Sequence, residues 1–333
     1  MLAGRIPTDR LAVYSPAFMA GCAGSGYTKK MLLPQFPAFR PLELGDRPFL
    51  HERLWKYQPE SSELTFSNLF IWRAHYGFRW SVYKDWLLLL GTINGTDAPY
   101  GLVPIGPPNR GEACRTLLEW LRDEKRIGPA SIRRADNALV DGISESGLFS
   151  IEPTRDHFDY VYRTEDLVRL EGKNYRQKRN HINYFLRQYR FDYEPLELRH
   201  VEACLELTGA WCDVRRCEED LSLMGEWDAI REGLRNFEAL QMAGGVVLIN
   251  GRVEAFSLGE LLNETTAVVH IEKANTEIRG LYAVINQQFC EKRWQNTPFI
   301  NREQDLGEPG LRQAKLSYNP DHLVEKFRIS LAG

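Results

Sequence analysis

The sequence predicts an α+β protein of two similar units, each a mixed, mostly antiparallel sheet interrupted by helices. Three observations predict it. Short apolar runs joined by tight-turn residues recur in both halves, segments with helical apolar spacing separate them, and 333 residues supply two cores of roughly 150 residues each.

The pattern becomes regular at Phe36. Residues 40–44 read as a strand, and residues 47–57 as a helix entered from Asp46, whose carboxylate suits an N-cap. Residues 61–76 read as a second, aromatic-rich helix, with Phe66, Phe70, Trp72 and Tyr76 as its core-facing set. The apolar runs 79–83, 86–91 and 101–105, parted by Lys84-Asp85 and Asn94-Gly95, suit an antiparallel meander. A helix over 110–124 follows, and the first unit is expected to span residues 34–160.

The second unit, residues 161–333, repeats that rhythm without a residue-level repeat. A basic helix is expected over 173–189, further helices over 201–214 and 226–242, and a buried strand over 246–249 closed by the Asn250-Gly251 turn. Residues 252–262 and 265–273 make a hairpin, then come a helix over 280–292, a strand at 299–301, a charged loop, and a last helix and strand between 311 and 329.

Composition excludes several classes. A net charge of -3, with 43% hydrophobic and 26% charged residues, is that of an ordinary globular protein and not of a nucleic-acid coat protein. The six cysteines form no C-x-x-C pair and no histidine stands at zinc-ligand spacing, so reduced thiols and no metal site are expected. The longest apolar runs, 86–90 and 246–249, fall far short of the roughly 20 residues of a membrane span. With no signal-type apolar stretch at the start, a cytoplasmic location is expected. Residues 1–33 read as a disordered extension, or as an overcalled start with Met31 as the true one. Within them, 21–28 (GCAGSGYT) has the glycine spacing of a phosphate loop, but Tyr27 stands where the motif needs lysine and no apolar strand precedes it, so no nucleotide site is predicted.

The densest chemistry lies at 301–320, NREQDLGEPGLRQAKLSYNP. Gly307, Pro309 and Gly310 are turn residues, and Arg302, Glu303, Asp305 and Lys315 would converge on one loop. The same residues would also make a solvated, salt-bridged turn, with Arg302 and Glu303 pairing to each other. His270 reads as a satisfied core or hairpin histidine rather than a catalyst. Glu272 and Lys273 are neighbours on a strand and point to opposite faces, so only one faces a cleft. No nucleophile-elbow motif is present.

The order of elements is similar to that of the GNAT acyltransferase fold. Four segments sharpen this: 173–183 (KNYRQKRNHIN), 269–280 (VHIEKANTEIRG) and the charged 301–320 in the second half, and 63–72 (ELTFSNLFIW) in the first. Together they resemble the C-terminal aminoacyltransferase domain of phosphatidylglycerol lysyltransferases and its soluble relatives, over residues 36–329. Fem-type peptidoglycan aminoacyltransferases show a similar plan. The resemblance implies two tandem GNAT-like domains, the second carrying the site, and aminoacyl transfer from a charged tRNA to a lipid head group.

It places Lys273, Gly280 and Tyr282 where an arginine-containing strand, a turn and a helix line the site, with Asn275 between them. It places Lys315, Ser317, Tyr318 and Pro320 in a later basic segment that here keeps one of two basic positions. Lys273, not Glu272, is then expected to face the cleft. Glu303 or Asp305 would be the base, and Lys315 or Arg302 would stabilise negative charge. Lys173, Arg176, Lys178 and Arg179 would contact the tRNA acceptor stem, or form an exposed basic face. Coenzyme A is disfavoured and no cofactor is expected, because Glu277 and Tyr282 occupy the ends of the turn that would hold its pyrophosphate. The expected acceptor is an amine or hydroxyl of a small molecule, lipid head group or peptide. A CoA-dependent N-acyltransferase and a non-catalytic tRNA- or anionic-lipid-binding module are the alternatives.

Overall fold

Two seven-stranded sheets organise the chain, each with one parallel neighbour pair and otherwise antiparallel. They are seen in a computed structural model that describes residues 33–92, 96, 98–215 and 221–333, and side chains outside 211–215, 221 and 222. The expected extension, the glycine-rich 21–28 and the Asn94-Gly95 turn lie outside the described residues.

The first half supplies β1 (Arg40–Pro41), α1 (Arg47–Tyr57), α2 (Phe66–Ile71), α3 (Arg73–Tyr76), β2 (Arg79–Tyr83), β3 (Trp86–Thr92), β4 (Pro99–Gly101), α4 (Gly111–Asp123), β5 (Ile132–Ala135), α5 (Asn137–Ile143) and β6 (Phe149–Pro153). Next come β7 (Asp159–Arg163), α6 (Thr164–Arg169), α7 (Arg176–Gln188), β8 (Asp192–Pro195), α8 (Val201–Arg215), α9 (Leu221–Leu240), β9 (Ala243–Ile249), β10 (Arg252–Leu261) and β11 (Thr266–Ala274). The chain closes with α10 (Leu281–Trp294), β12 (Phe299–Asn301), α11 (Pro309–Leu316), β13 (His322–Val324) and β14 (Phe327–Leu331).

Local sequence explains most of these. β3 is an unbroken apolar run because both its faces are buried. Asn250 and Gly251 both take positive φ, 52° and 76°, the turn that matches the twist of the β9–β10 hairpin. Asp46 does not cap α1. Its carboxylate instead accepts from the fully buried Trp80 indole at 3.0 Å and from Arg40, because a buried indole N–H needs an acceptor. The single helix expected over 61–76 is a turn followed by α2 and α3. Thr65 caps α2 by accepting from the Asn68 amide at 3.0 Å.

The sheets do not divide the chain at residue 160. Their strand orders are β1-β2-β3-β4-β5-β14-β6 and β13-β7-β12-β11-β10-β9-β8, so β7 straddles the expected boundary and belongs to the second sheet. Tyr160 and Tyr162 anchor it there in the second core. Conversely, β14, expected in the second unit, lies between β5 and β6 of the first sheet. Its pairing with both satisfies two backbone edges that would otherwise stand open. The α+β reading with two mixed sheets therefore holds, while the two halves exchange elements.

Candidate active site

β11 and β12 run parallel only from Thr266↔Phe299 to Val268↔Asn301, and then part. Two features aim side chains across the gap. On β11 the register skips His270: Leu258 pairs with Ile271 and Gly259 with Val269, so His270 is the extra residue of a bulge. Beyond β12, Glu303 takes φ 58°, and its amide donates to Asn301 Oδ1 at 2.7 Å. A non-glycine residue in this left-handed region marks a constrained loop.

The result is a buried relay. His270 Nδ1 lies 2.8 Å from Glu303 Oε1, and its Nε2 lies 3.0 Å from Glu260 Oε1. Ser67 Oγ donates to the other Glu260 oxygen at 3.0 Å, and Asn68 Nδ2 donates to Glu303 Oε1 at 3.2 Å. The His270 side chain is 1% exposed and that of Glu303 18%. Burial alone would lower the His270 pKa, but the two carboxylates outweigh it and raise it to about 9. His270 is thus an imidazolium at neutral pH, donating from both nitrogens. Glu303 Oε2 carries no hydrogen bond among the described residues, so the relay ends on a free carboxylate oxygen.

A second bridge crosses the same gap. Arg302 Nη2 donates to Glu272 Oε1 at 2.8 Å, and Asn286 Nδ2 donates to Glu272 Oε2 at 3.0 Å. The Arg302 guanidinium stands 4.8 Å from the Tyr318 ring centre, and Lys178 Nζ stands 3.7 Å from it. Lys315 Nζ donates to the Arg302 carbonyl. Burial first, and the neighbouring Arg302 second, pull the pKa of both Lys178 and Lys315 down to about 8.

Behind the gap lies an ionic knot. Fully buried Lys326 reaches Glu63 Oε2 at 2.5 Å and Asp159 Oδ1 at 2.6 Å. Arg134 takes the other Glu63 oxygen at 2.5 Å, while Ser62 and Asn301 donate to Asp159. Each charge is compensated, which burial requires. The stretch 63–72, singled out in the sequence, therefore sends Glu63, Ser67 and Asn68 into both buried polar systems.

Of the expected site residues, Arg302, Glu303, Lys315, Tyr318 and Lys178 come together. Arg302 and Glu303 do not pair with each other; each reaches across to β11. Asp305 stands apart and fully buried. It accepts from Tyr160 Oη at 2.5 Å, from two Arg312 nitrogens at 2.8 Å, and from the Gly307 amide at 2.9 Å. Burial would raise its pKa, but Arg312, Tyr160 and the amide hold it well below the usual carboxylate range. With its lone pairs so engaged, Asp305 locks the loop and is not available as a base.

Lys273 turns away, 2.7 Å from Glu226 of α9, and Glu272 meets Arg302 instead. The expected choice between those two neighbours is thereby reversed. Asn275 Nδ2 donates to Glu254 at 2.9 Å and ties its own hairpin. Gly280, at φ 93°, packs against α7 so closely that a Cβ would sit 2.4 Å from the His181 carbonyl oxygen. Tyr282 is 37% exposed. Lys173 and Arg176 are exposed. Arg179 is committed to the carbonyls of Leu170 and Gly172, closing the end of α6, and is not part of an open basic face. Sequence reasoning missed Glu260, Ser67, Asn68 and Lys326, and set His270 aside. Ser67 and Asn68, polar residues inside an otherwise apolar helix, were the available signal.

Comparison with known proteins places the chain in a family. Residues 56–330 match the family described as "Phosphatidylglycerol lysyltransferase, C-terminal". A conserved protein of unknown function from Bacteroides thetaiotaomicron is similar in structure, with a TM-score of 0.82 and 32% identity, covering 90% of this chain and 100% of that one. The C-terminal domain of a putative lysylphosphatidylglycerol synthetase from Agrobacterium fabrum has a TM-score of 0.60 at 12% identity, covering 87% of this chain and 93% of that one. FemX has a TM-score of 0.53 at 9% identity, covering 87% and 96%. At these identities the two comparisons bear on the fold alone, which this chain shares with both. No helix among the described residues is long and apolar enough to cross a membrane. By the extent of its match, the chain belongs to the phosphatidylglycerol lysyltransferase C-terminal family.

Proposed function

We propose that this protein transfers an aminoacyl group from the ester of a charged tRNA to an amine or hydroxyl acceptor. The observation that carries the reading is Glu303, whose Oε1 is fixed by His270 and Asn68 while Oε2 makes no hydrogen bond among the described residues. The acceptor's nucleophilic atom attacks the ester carbonyl as Glu303 Oε2 takes its proton. The bond from the carbonyl carbon to the ribose oxygen breaks, and the proton passes to that leaving oxygen. Imidazolium His270 keeps Glu303 oriented and ionised as a positioning residue. Lys315, beside Arg302, supports charge developing on the carbonyl oxygen.

The Gly280 turn favours an RNA ester over a coenzyme A thioester. A pyrophosphate needs donors and close approach there, but Glu277 and Tyr282 stand at the ends of the turn. Incubation with charged tRNA and a panel of amine and hydroxyl acceptors tests the reading. Wild type is expected to consume the ester faster than Glu303→Gln. In parallel, a ligand at 100 times its Kd adds about 2.7 kcal/mol of stability. Stabilisation by acetyl-CoA with none by tRNA would overturn the proposal.

A further inference from the structure

Glu260 lies on the side of His270 away from Glu303. Its Oε1 is 3.0 Å from His270 Nε2, Ser67 Oγ donates to its Oε2 at 3.0 Å, and its side chain is 7% exposed. The ion pair is not needed to join its strands, because Glu260 is already paired with Val268 in the β10–β11 register and His270 is the bulge residue two places on. Outside Glu260, a cleft between α1 and the end of β10 is lined by His51, Trp55, Thr65 and Leu261. Arg47 and His51 of α1 feel the Glu260 charge there, but the Arg47 hydrogen bonds go to the Leu240 carbonyl and the Gln241 side chain. The other neighbours of the imidazole are Glu303 on Nδ1, with Lys315 acting on that carboxylate, and the neutral Thr65 and Asn68. Glu260 therefore supplies the carboxylate on the Nε2 side of a buried cation, and Thr65 Oγ1, at 3.5 Å, is a poor substitute.

We propose that Glu260 is a positioning residue of the transferase site, holding His270 in the form that donates from both ring nitrogens and acting through it on Glu303. Its effect on turnover rests on the transferase reading; its effect on the ring does not. A histidine packed in the interior loses its charge unless opposite charges outweigh desolvation. Glu303 and Glu260 do so together, one cation serving two carboxylates. With residue 260 neutral, desolvation regains ground, and above the lowered ionisation range the ring has a single proton for two neighbours. Glu303 then loses the cation beside it and, in the tautomer that donates to residue 260, its Nδ1 donor as well. The cleft gives this end of the relay contact with water, so the ring's charge follows bulk pH without any opening of the gap. Turnover is thereby governed by a side chain that touches no substrate.

The test follows the His270 ring nitrogens of the full chain by nuclear magnetic resonance as pH rises, alongside kcat and KM for consumption of a charged-tRNA ester over the same range. Wild type is expected to keep both ring nitrogens protonated up to about pH 9. In Glu260→Gln the midpoint should fall by about 1 to 3 pH units, the usual effect of an adjacent opposite charge. The deficit in kcat should grow as pH rises through that lowered midpoint and reach about 10-fold to 100-fold, with KM little changed. In the His270→Gln background the same substitution should lower kcat no further, because its path of action is gone. Glu260→Asp keeps the charge on a shorter arm, so it should shift the ring and kcat in the same direction by less, and it serves where Glu260→Gln does not fold.

An unmoved ring midpoint in Glu260→Gln, a kcat deficit that is the same at every pH, or an equal loss in the wild-type and His270→Gln backgrounds overturns the positioning role. If the ring midpoint moves while wild type consumes no ester, the coupling of Glu260 to His270 stands and the transferase reading falls. If wild type consumes ester and the Glu260 variants do so equally well across the range, the transferase reading stands and the positioning role falls.

Discussion

Glu303 and His270, 33 positions apart in sequence, meet at 2.8 Å where two parallel strands separate. That contact joins a loop in a left-handed conformation to a bulge, so each irregularity holds the other in place. It also divides the charged loop into a part that reaches the gap and a part that secures the backbone.

The division predicts opposite phenotypes for two acidic residues two positions apart. Glu303→Gln should lower ester consumption by about 100-fold to 10,000-fold, the usual contribution of a general base, with a melting temperature close to wild type. A variant retaining wild-type turnover would remove Glu303 from the chemistry.

Asp305→Asn should instead act on stability, lowering the urea midpoint, because Tyr160, the Gly307 amide and Arg312 lose the buried carboxylate they share. Turnover per folded molecule should be unchanged. The Asp305 pKa is depressed in the folded state, so its contribution is present above the unfolded value near pH 4 and is lost as pH falls below it. The acid-induced loss of stability should accordingly be shallower in the Asn variant.

His270 predicts a dependence of the other sign. Its folded pKa, about 9, exceeds the ordinary value of 6.5. The stabilisation, on the order of 3 kcal/mol, is fully present below about pH 6.5 and is lost as pH rises through about 9. Lys178 and Lys315, with lowered values, act oppositely above pH 8, so the readout is the difference between wild type and His270→Gln unfolding free energies measured from pH 6 to 9.5. A difference independent of pH would show that the imidazole is not charged in the folded protein.

Gly280→Ala should destabilise the protein by about 1 to 3 kcal/mol in chemical denaturation. The new Cβ meets the His181 carbonyl at 2.4 Å and forces an alanine into φ 93°. Preserved stability would mean that α7 can move away from α10, reopening the turn to a ligand.

Much of the scaffold was legible because it is local. The bounds of β12, the Asn250-Gly251 turn and the helical span of α4 follow from turn chemistry and apolar spacing, and α1 keeps its expected bounds although Asp46 does not cap it. Arg302, Glu303 and Lys315 were legible as a dense charged loop. What was hidden depends on distant partners. A period-two argument sees Glu272 and Lys273 on opposite faces but cannot say which face holds Arg302. It also cannot register the extra residue that re-aims His270. Asp305 looked as available as Glu303 because nothing local announces Arg312 or Tyr160. Lys326 gave no signal at all, since its partners Glu63 and Asp159 are 263 and 167 positions away.

The insertion of β14 between β5 and β6 has a consequence for how the chain is made. A ribosome delivers residues 40–153 long before residues 327–331, so the first sheet has a vacant lane throughout synthesis of the second. Lys326, at the threshold of that lane, brings the counter-charge for Glu63 and Asp159 at the same late moment. During synthesis the first-made sheet therefore cannot be completed before residues 327–331 emerge, and its completion coincides with neutralising Glu63 and Asp159.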